Sequence, residues 1–223
     1  VLLNYLTYGK KSREEFMDRL LSPVEQFHAL PRQGNFEEKR VLILTEAARL
    51  FVEKGAHETS LSDIAALFGI SKPALYHYAK SKDDIIAQIL LAAREGNRDM
   101  LDHFQHSEGT GLEKLRGALA IYGESMNTDV GRCLALIQVS TFSEETLAVH
   151  RDTHRVLLDG LTEIIAEGVK DGSIKPCRPQ IAVFTILHAL NGMARWFRED
   201  GKLSQGQVTQ QIIDHFFEGL ADY

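Results

Sequence analysis

The sequence predicts an all-α protein, and three observations carry that reading. Apolar residues recur three and four apart along most of the chain, as at Ile43, Leu44, Ala47, Ala48, Leu50 and Phe51. The stretches between them hold helix-stopping and helix-starting residues, such as Gly55, Gly69, Asp171-Gly172-Ser173 and Lys175-Pro176-Cys177-Arg178-Pro179. No two segments could pair as strands: Ile137 to Phe142 is the best strand candidate, and nothing nearby could pair with it. There is no internal repeat or low-complexity tract, so a solenoid is not supported.

At 223 residues, with 44% hydrophobic and 25% charged residues, the chain can hold two helical lobes and a substantial core. A net charge of −6 argues against a protein that coats nucleic acid indiscriminately. A sequence-specific binder needs only a local basic face, and Ser71 to Lys82 carries Lys72, Lys80 and Lys82 without an acid. Cys133 and Cys177 are too few for a disulfide framework and read as thiols of a reducing compartment. Apolar runs fall far short of the roughly 18 residues of a membrane span. The opening VLLNYLTYGKK has no basic residue before its apolar ones and is too short and polar for a signal peptide, so the expected address is cytoplasmic.

Residues 1–35 form an N-terminal extension in which Phe16, Leu20, Val24 and Phe27 suggest an apolar stripe. Its acids offset its bases, which favours an arm packed on the body over one tracking a nucleic-acid groove. A support helix is expected from about Glu37 to Lys54, stopped by Gly55. Ser60 with Asp63 has the form of a capping box opening a first short helix, which Gly69 ends. Ser71 starts a second, with Pro73 tolerated in its first turn, and this one carries Lys72, Ala74, Tyr76, His77 and Tyr78. Two short helices about a glycine break are the layout of a helix-turn-helix.

Asp83 and Asp84 then open a long helix. Further helices are expected from Leu112 to Met126, Val130 to Phe142, Ser143 to Lys170, Gln180 to Arg198 and Ser204 to Leu220.

The run Ala47-Ala48, Phe51, Gly55, Thr59, Ile64-Ala65, Gly69, Ser71-Lys72, Leu75-Tyr76, Tyr78 and Ser81-Lys82 resembles the N-terminal domain of TetR-family transcriptional regulators. The likeness extends from roughly Lys39 to Leu90. Ala79 departs from it, since the family usually has phenylalanine there; looser local packing is expected, with Tyr78 and Ile85 still available. The resemblance implies an N-terminal three-helix DNA-binding domain with a helix-turn-helix, placed at residues 36–96, and a C-terminal helical ligand-binding and dimerisation domain at 97–223. It also implies a homodimer paired through the last two helices, and the sequence agrees: Phe184, Leu187, Leu190, Gly192, Met193, Trp196 and Phe197 on one, with Val208, Ile212, Ile213, Phe216, Phe217 and Leu220 on the other, offer more apolar surface than one thin lobe needs.

Chemistry and family position together place the contacts to a double-stranded DNA operator. Ser60 and Ser62 suit phosphate; Ser71, Lys72, Pro73 and Ala74 begin the recognition helix, where lysine can read guanine and Pro73 and Ala74 can meet a thymine methyl. Tyr76 and His77 add phosphate or base contacts, and Lys82 clamps backbone phosphate. Leu75 and Tyr78 are expected to pack inward. Two such helices in a dimer, about 34–36 Å apart, predict a roughly palindromic operator.

For the small-molecule effector the candidate residues are Tyr122, Arg132, Gln138, His154, His188, Asn191 and Arg195, with the two arginines suited to a carboxylate or phosphate. Ala194-Arg195-Trp196-Phe197 followed by Asp200-Gly201 and Leu203-Ser204 looks like acyl-CoA-responsive members of the family, so an acyl-CoA or another amphipathic acid is the expected effector. His150 and His154, four apart, have metal-ligand spacing, but such pairs are commonly surface residues, and neither a metal nor a cofactor is expected. No G-x-S-x-G, H-E-x-x-H, phosphate-binding loop or dinucleotide fingerprint is present, so catalysis is not expected. The leading reading is a ligand-released repressor. An activator of the same fold, a scaffold that has lost DNA affinity and a helical enzyme are the alternatives.

Overall fold

The computed structural model describes His28, residues 35–198 and residues 200–220. The apolar stripe expected at Phe16, Leu20, Val24 and Phe27 lies outside the described residues. Helix α1, Phe36–Lys54, has Glu37 and Glu38 in its first turn and Lys54 in its last, charges that suit the helix dipole at each end. Gly55 ends it at a φ of 87°, a conformation that only glycine enters without a clash. Helix α2, Leu61–Leu67, starts on a complete capping box: the Asp63 N–H donates to Ser60 Oγ (3.1 Å) and the Ser60 N–H to Asp63 Oδ2 (2.7 Å). Ser71 Oγ accepts from the Ala74 N–H (3.3 Å) to open α3, Lys72–Leu75. This second helix is shorter than its expected run to Tyr78. After Leu75 the chain closes into turns, with the N–H groups of both Tyr78 (2.8 Å) and Ala79 (3.0 Å) donating to the Leu75 carbonyl.

Helix α4, Lys82–Gln105, follows, capped by Ser81. Beyond it come α5, Gly111–Ser125; α6, Asp129–Leu136; a 3-10 turn, Val139–Thr141; α7, Glu144–Asp171; α8, Pro179–Trp196; and α9, Gln205–Leu220. There is no strand among the described residues.

Two expected boundaries are corrected. The helix from Val130 to Phe142 stops at Leu136, because Ile137 takes an extended ψ of 140° and turns toward the core of the first three helices. The alternating β-branched residues Ile137, Val139 and Thr141 crowd a helical turn and make this an inexpensive place to break. Helix α8 ends at Trp196 rather than Arg198, since Arg198 turns to hold Asp200 through paired 2.9 Å hydrogen bonds.

Two cores result. The first gathers Ile43, Ala47, Ile64, Phe68, Leu75 and Ile85, all with no measurable exposure. Ala79, 1% exposed, is enclosed by it, and Phe36 stacks on Tyr78 with ring centres 5.0 Å apart, so Leu75 and Tyr78 do pack inward. The second gathers Leu115, Leu119, Leu161, Ile164, Ile186 and Phe217 from α5, α7, α8 and α9. Helix α4 serves both: Ile85, Ile86, Ile89 and Leu90 enter the first, Met100 and Leu101 the second.

The pairing faces expected on α8 and α9 are split by this packing. Leu187, Leu190, Met193, Ile213 and Phe217 are buried inside the chain, leaving Ile181, Phe184 and Trp196 exposed on α8 beside the half-buried Ile212 and Phe216 of α9. The side chain of Leu220 lies outside the described residues.

Candidate nucleic-acid interface and effector cavity

The helix-turn-helix turns its polar side outward. Ser60, Ser62, Ser71, Lys72, Pro73, Tyr76 and His77 are exposed and Ala74 is half-buried, while Leu75 beneath them is sealed in the first core. The ammonium of Lys72 lies 5.9 Å from the centre of the Tyr76 ring, within cation–π range. Lys72, Lys80 and Lys82 line one open hollow together with Ser60 and Ser81, and Glu58 and Asp83 on the same wall offset part of their charge where α2 and α4 begin. Lys82 also braces the fold, because its Nζ donates to the carbonyls of Ala56 (2.6 Å) and His57 (3.2 Å) and ties the start of α4 to the loop after α1. Ser60 and Ser71 likewise spend their hydroxyls as helix caps.

A cavity of about 80 Å³ opens between α4, α5, α6 and α7, with one residue from α8. Of the seven effector candidates, Tyr122, His154 and Asn191 line it. The Tyr122 hydroxyl donates to Asn191 Oδ1 (2.7 Å), and burial outweighs that bond in pushing the phenol up to about 12, so it remains a neutral hydroxyl. His154 stands against His150, ring centres 4.4 Å apart. Loss of water holds both imidazoles below their ordinary range, and for His154 the charges of His150 and His188 add to the effect; His154 is nonetheless exposed, which keeps its shift modest, while His150 is half-buried.

The other four candidates do not line this cavity. Gln138 borders a separate hollow, between the end of α1 and the break after α6. Arg195 and His188 are exposed, the His188 ring held on the Phe184 carbonyl (2.8 Å), and Arg132 is half-buried on α6 outside the cavity wall. Asn97, Thr128 and Thr153 line the cavity beyond the expected set. The sequence holds a signal for Asn97, which interrupts the apolar series Leu90, Ala93, Met100 on the inner side of α4. Among the described residues no group of three or more His, Cys, Asp or Glu could hold a metal, and Asp152 is taken by Arg94 (2.7 Å) and Arg155 (2.5 Å).

Two links join the cavity to the helix-turn-helix. Helix α6 turns Val130, Gly131 and Leu134 to the cavity and Cys133 into the first core, which α1 shares. Burial pushes the Cys133 thiol up to about 12, and Cys177 packs against the other core, so neither pairs with the other. The second link is Asp83, whose carboxylate accepts from the Ser143 N–H (3.2 Å), Ser143 Oγ (2.6 Å) and Thr146 Oγ1 (2.7 Å) at the start of α7.

Known proteins match the chain in two parts. Residues 43–89 match the family model for bacterial regulatory proteins of the tetR family, and residues 108–220 match that for the tetracyclin repressor-like C-terminal domain. The chain is 28% identical to the HTH-type transcriptional repressor KstR2 of Mycolicibacterium smegmatis over 199 residues, covering 82% of this chain and 90% of that one. It is 30% identical to PfmR, a TetR family transcriptional regulator from Thermus thermophilus, with a TM-score of 0.70 over 81% of this chain and 99% of the other. AibR, solved in complex with isovaleryl coenzyme A and operator DNA, shares the fold at a TM-score of 0.70 and 24% identity, over 80% of this chain and 97% of its own.

Proposed function

This chain belongs to the TetR family of bacterial regulatory proteins, and on that premise we propose that it is a repressor released from a palindromic operator by a small acyl-type effector. The observation that carries the DNA-binding half of the reading is that Lys72 on α3, with Tyr76 and His77 in the turn that ends it, stands in solvent over a fully buried Leu75. A side chain seated on a fixed helix can read base edges, which a mobile loop does poorly. Residues 36–96 act as the reading head and 97–223 as the effector and pairing domain, with α4 running through both. Lys82 reaches backbone phosphate from its seat beside Ala56, and Ser60 and Ser62 approach the same strand. Two copies pair over the apolar patch of Ile181, Phe184, Trp196, Ile212 and Phe216, which sets two recognition helices on one operator.

An effector in the cavity presses on α6 and α4 together, the first touching the α1 core and the second carrying the reading head at its start. If it binds the DNA-incompetent arrangement more tightly, the population shifts and the operator is released. The isovaleryl coenzyme A of the AibR complex is the reason to place an acyl group here. The reading needs no catalytic group, since Ser71 beside Lys72 serves as the cap of α3. No described helix is long and apolar enough to cross a membrane, in keeping with action in the cytoplasm.

The test is operator binding with DNA taken from upstream of the protein's own gene. Lys72→Ala and Tyr76→Ala should each lower affinity by about 1–3 kcal/mol, roughly five- to 150-fold. Unchanged affinity in a folded double variant would refute the assignment of α3.

A further inference from the structure

Helix α3 is too short to hold itself in place. It spans four residues, whereas an isolated helix needs roughly 12–15 to be even marginally stable in water, so its neighbours set its direction. From beneath, Leu75 is sealed in the first core, but the other inward residue that follows it, Ala79, brings only a methyl group. Tyr76 and His77, two of the candidate operator contacts, lie in the turn between these two points.

A polar clamp closes the far end of that turn. Gln88, half-buried on α4, donates from Nε2 to the Tyr78 carbonyl (3.0 Å) and to Asp84 Oδ1 (3.2 Å), and its Oε1 accepts from Arg40 Nη1 of α1 (2.9 Å). Asp84 Oδ2 accepts from the Lys80 N–H (2.7 Å), and Glu37 steadies the Arg40 guanidinium with bonds of 2.9 and 2.6 Å. The stretch from Tyr78 to Lys80 is thus held from α1 and α4 together. Chemistry narrows what can stand at the centre. A carbonyl and a carboxylate only accept and a guanidinium only donates, so the bridging group needs two donors on one atom and an acceptor beside it, which a primary amide supplies. Glutamate would set a charge against the Tyr78 carbonyl and Asp84, methionine would fill the place without a bond, and asparagine falls one methylene short.

Resting on the reading of α3 as the operator-reading helix, we propose that Gln88 is a positioning residue for operator recognition. Through the Tyr78 carbonyl it fixes the turn that carries Tyr76 and His77, and Arg40 and Asp84 fix its own amide. Base readout needs its contact atoms held within about half an ångström, whereas attraction to phosphate tolerates a loose turn. The clamp therefore acts on specificity rather than on DNA affinity at large.

Fluorescence anisotropy of the full chain, on DNA from upstream of its own gene and on a scrambled duplex of equal length, tests this with Gln88→Met and Gln88→Asn. Neither substitution changes the charge. Each should lower operator affinity by about tenfold or more while scrambled-duplex affinity stays within about twofold. The slope of log affinity against log salt should not change, because no phosphate contact is removed. An operator loss below about threefold in either folded variant, or an equal loss on both duplexes, overturns the proposal. A folded Lys72→Ala/Tyr76→Ala chain separates the two readings. If it binds the operator unchanged, the assignment of α3 falls and this proposal with it; loss there without loss at Gln88 removes this proposal alone. Should a Gln88 variant fail to fold, exchange of the Gln88 side-chain amide protons in the wild-type chain decides. It should run about tenfold or more slower than at the exposed Gln138, and equal rates would overturn the clamp.

Discussion

The two halves of this chain seal their cores differently. In the reading head Ile43, Ala47, Ile64, Phe68, Leu75 and Ile85 have no solvent exposure, and the short helices α2 and α3 are pinned between caps at Ser60 and Ser71. In the effector half the helices are longer, yet α4, α5, α6 and α7 leave a cavity between them. The contrast follows from what each half must do. On the function proposed above, a reader must hold Lys72 and Tyr76 in one place, whereas a sensor must have two arrangements of similar energy that a ligand can tell apart. Helix α6, with one side on the cavity and Cys133 in the closed core, touches both halves.

Breaking the closed core should have the largest effect. Leu75→Ala deletes a side chain with no exposure and should cost about 2–5 kcal/mol, a large share of a typical domain's stability. Urea unfolding followed by circular dichroism should show an early transition, with operator binding lost. Tyr76→Ala, one residue on and 45% exposed, should change stability by less than about 0.5 kcal/mol while weakening binding. If the two variants are equally stable, the closed core is not what fixes α3.

Gly131→Ala attacks the joint between the halves. A Cβ there would lie 2.2 Å from the Ser125 carbonyl oxygen and 2.8 Å from Met126 Cα, so α6 must move off the end of α5. The expected cost is about 1–3 kcal/mol, with operator affinity reduced even without effector. Denaturation and binding measured on the same preparation check both. Full stability and full affinity would show that α6 has room to spare.

The contrast also governs how much the sequence discloses. The reading head is legible because its signals are local: Ser60 lies three residues from Asp63, and Gly69 and Ser71 sit between two short apolar patterns. The effector cavity is made by residues far apart, as with Tyr122 and Asn191, 69 positions from each other, and spacing says nothing about such pairs. Arg132 and Arg195 are attractive for their chemistry, but neither is among the residues that line the cavity. On α8 and α9 the apolar residues exceed one face, so composition announces a second interface without saying which residues form it. Leu187 and Phe217 go inward; Phe184 and Trp196 do not.

A smaller effect is expected at Asp83, the polar tie across the halves. Partial burial alone would raise its carboxyl, but hydrogen bonds from Ser143 and Thr146 outweigh that and hold it below the ordinary carboxylate range. Asp83→Asn keeps the shape and removes the charge, and should cost about 1 kcal/mol. The sharper readout is coupling: the ratio of operator affinities without and with effector should shrink. An unaltered ratio would leave α6 as the sufficient route between the halves.

The mildest probe is acid, and it should separate the halves by pH. His150 and His154 line the effector cavity, and burial, with mutual repulsion and His188 in the case of His154, lowers both below 6.5. As pH falls through 6.5 the unfolded chain takes up these protons before the folded chain does. Their contribution is therefore complete above 6.5 and is lost progressively as pH drops toward the folded values. In the reading head the comparable group is Asp63, lowered from 3.8 by its hydrogen bonds to the Ser60 side chain and backbone, so its contribution persists until pH falls below that value. Between pH 8 and 5 the effector half should soften while the reading head does not. Trp196, the sole tryptophan, lies in the effector half and provides a local fluorescence signal against the global circular dichroism. Its thermal midpoint should fall over that range in the wild-type chain and flatten in a His150→Asn/His154→Asn variant. A midpoint that stays level to pH 4 in the wild-type chain would mean that the cavity accepts charged imidazoles freely.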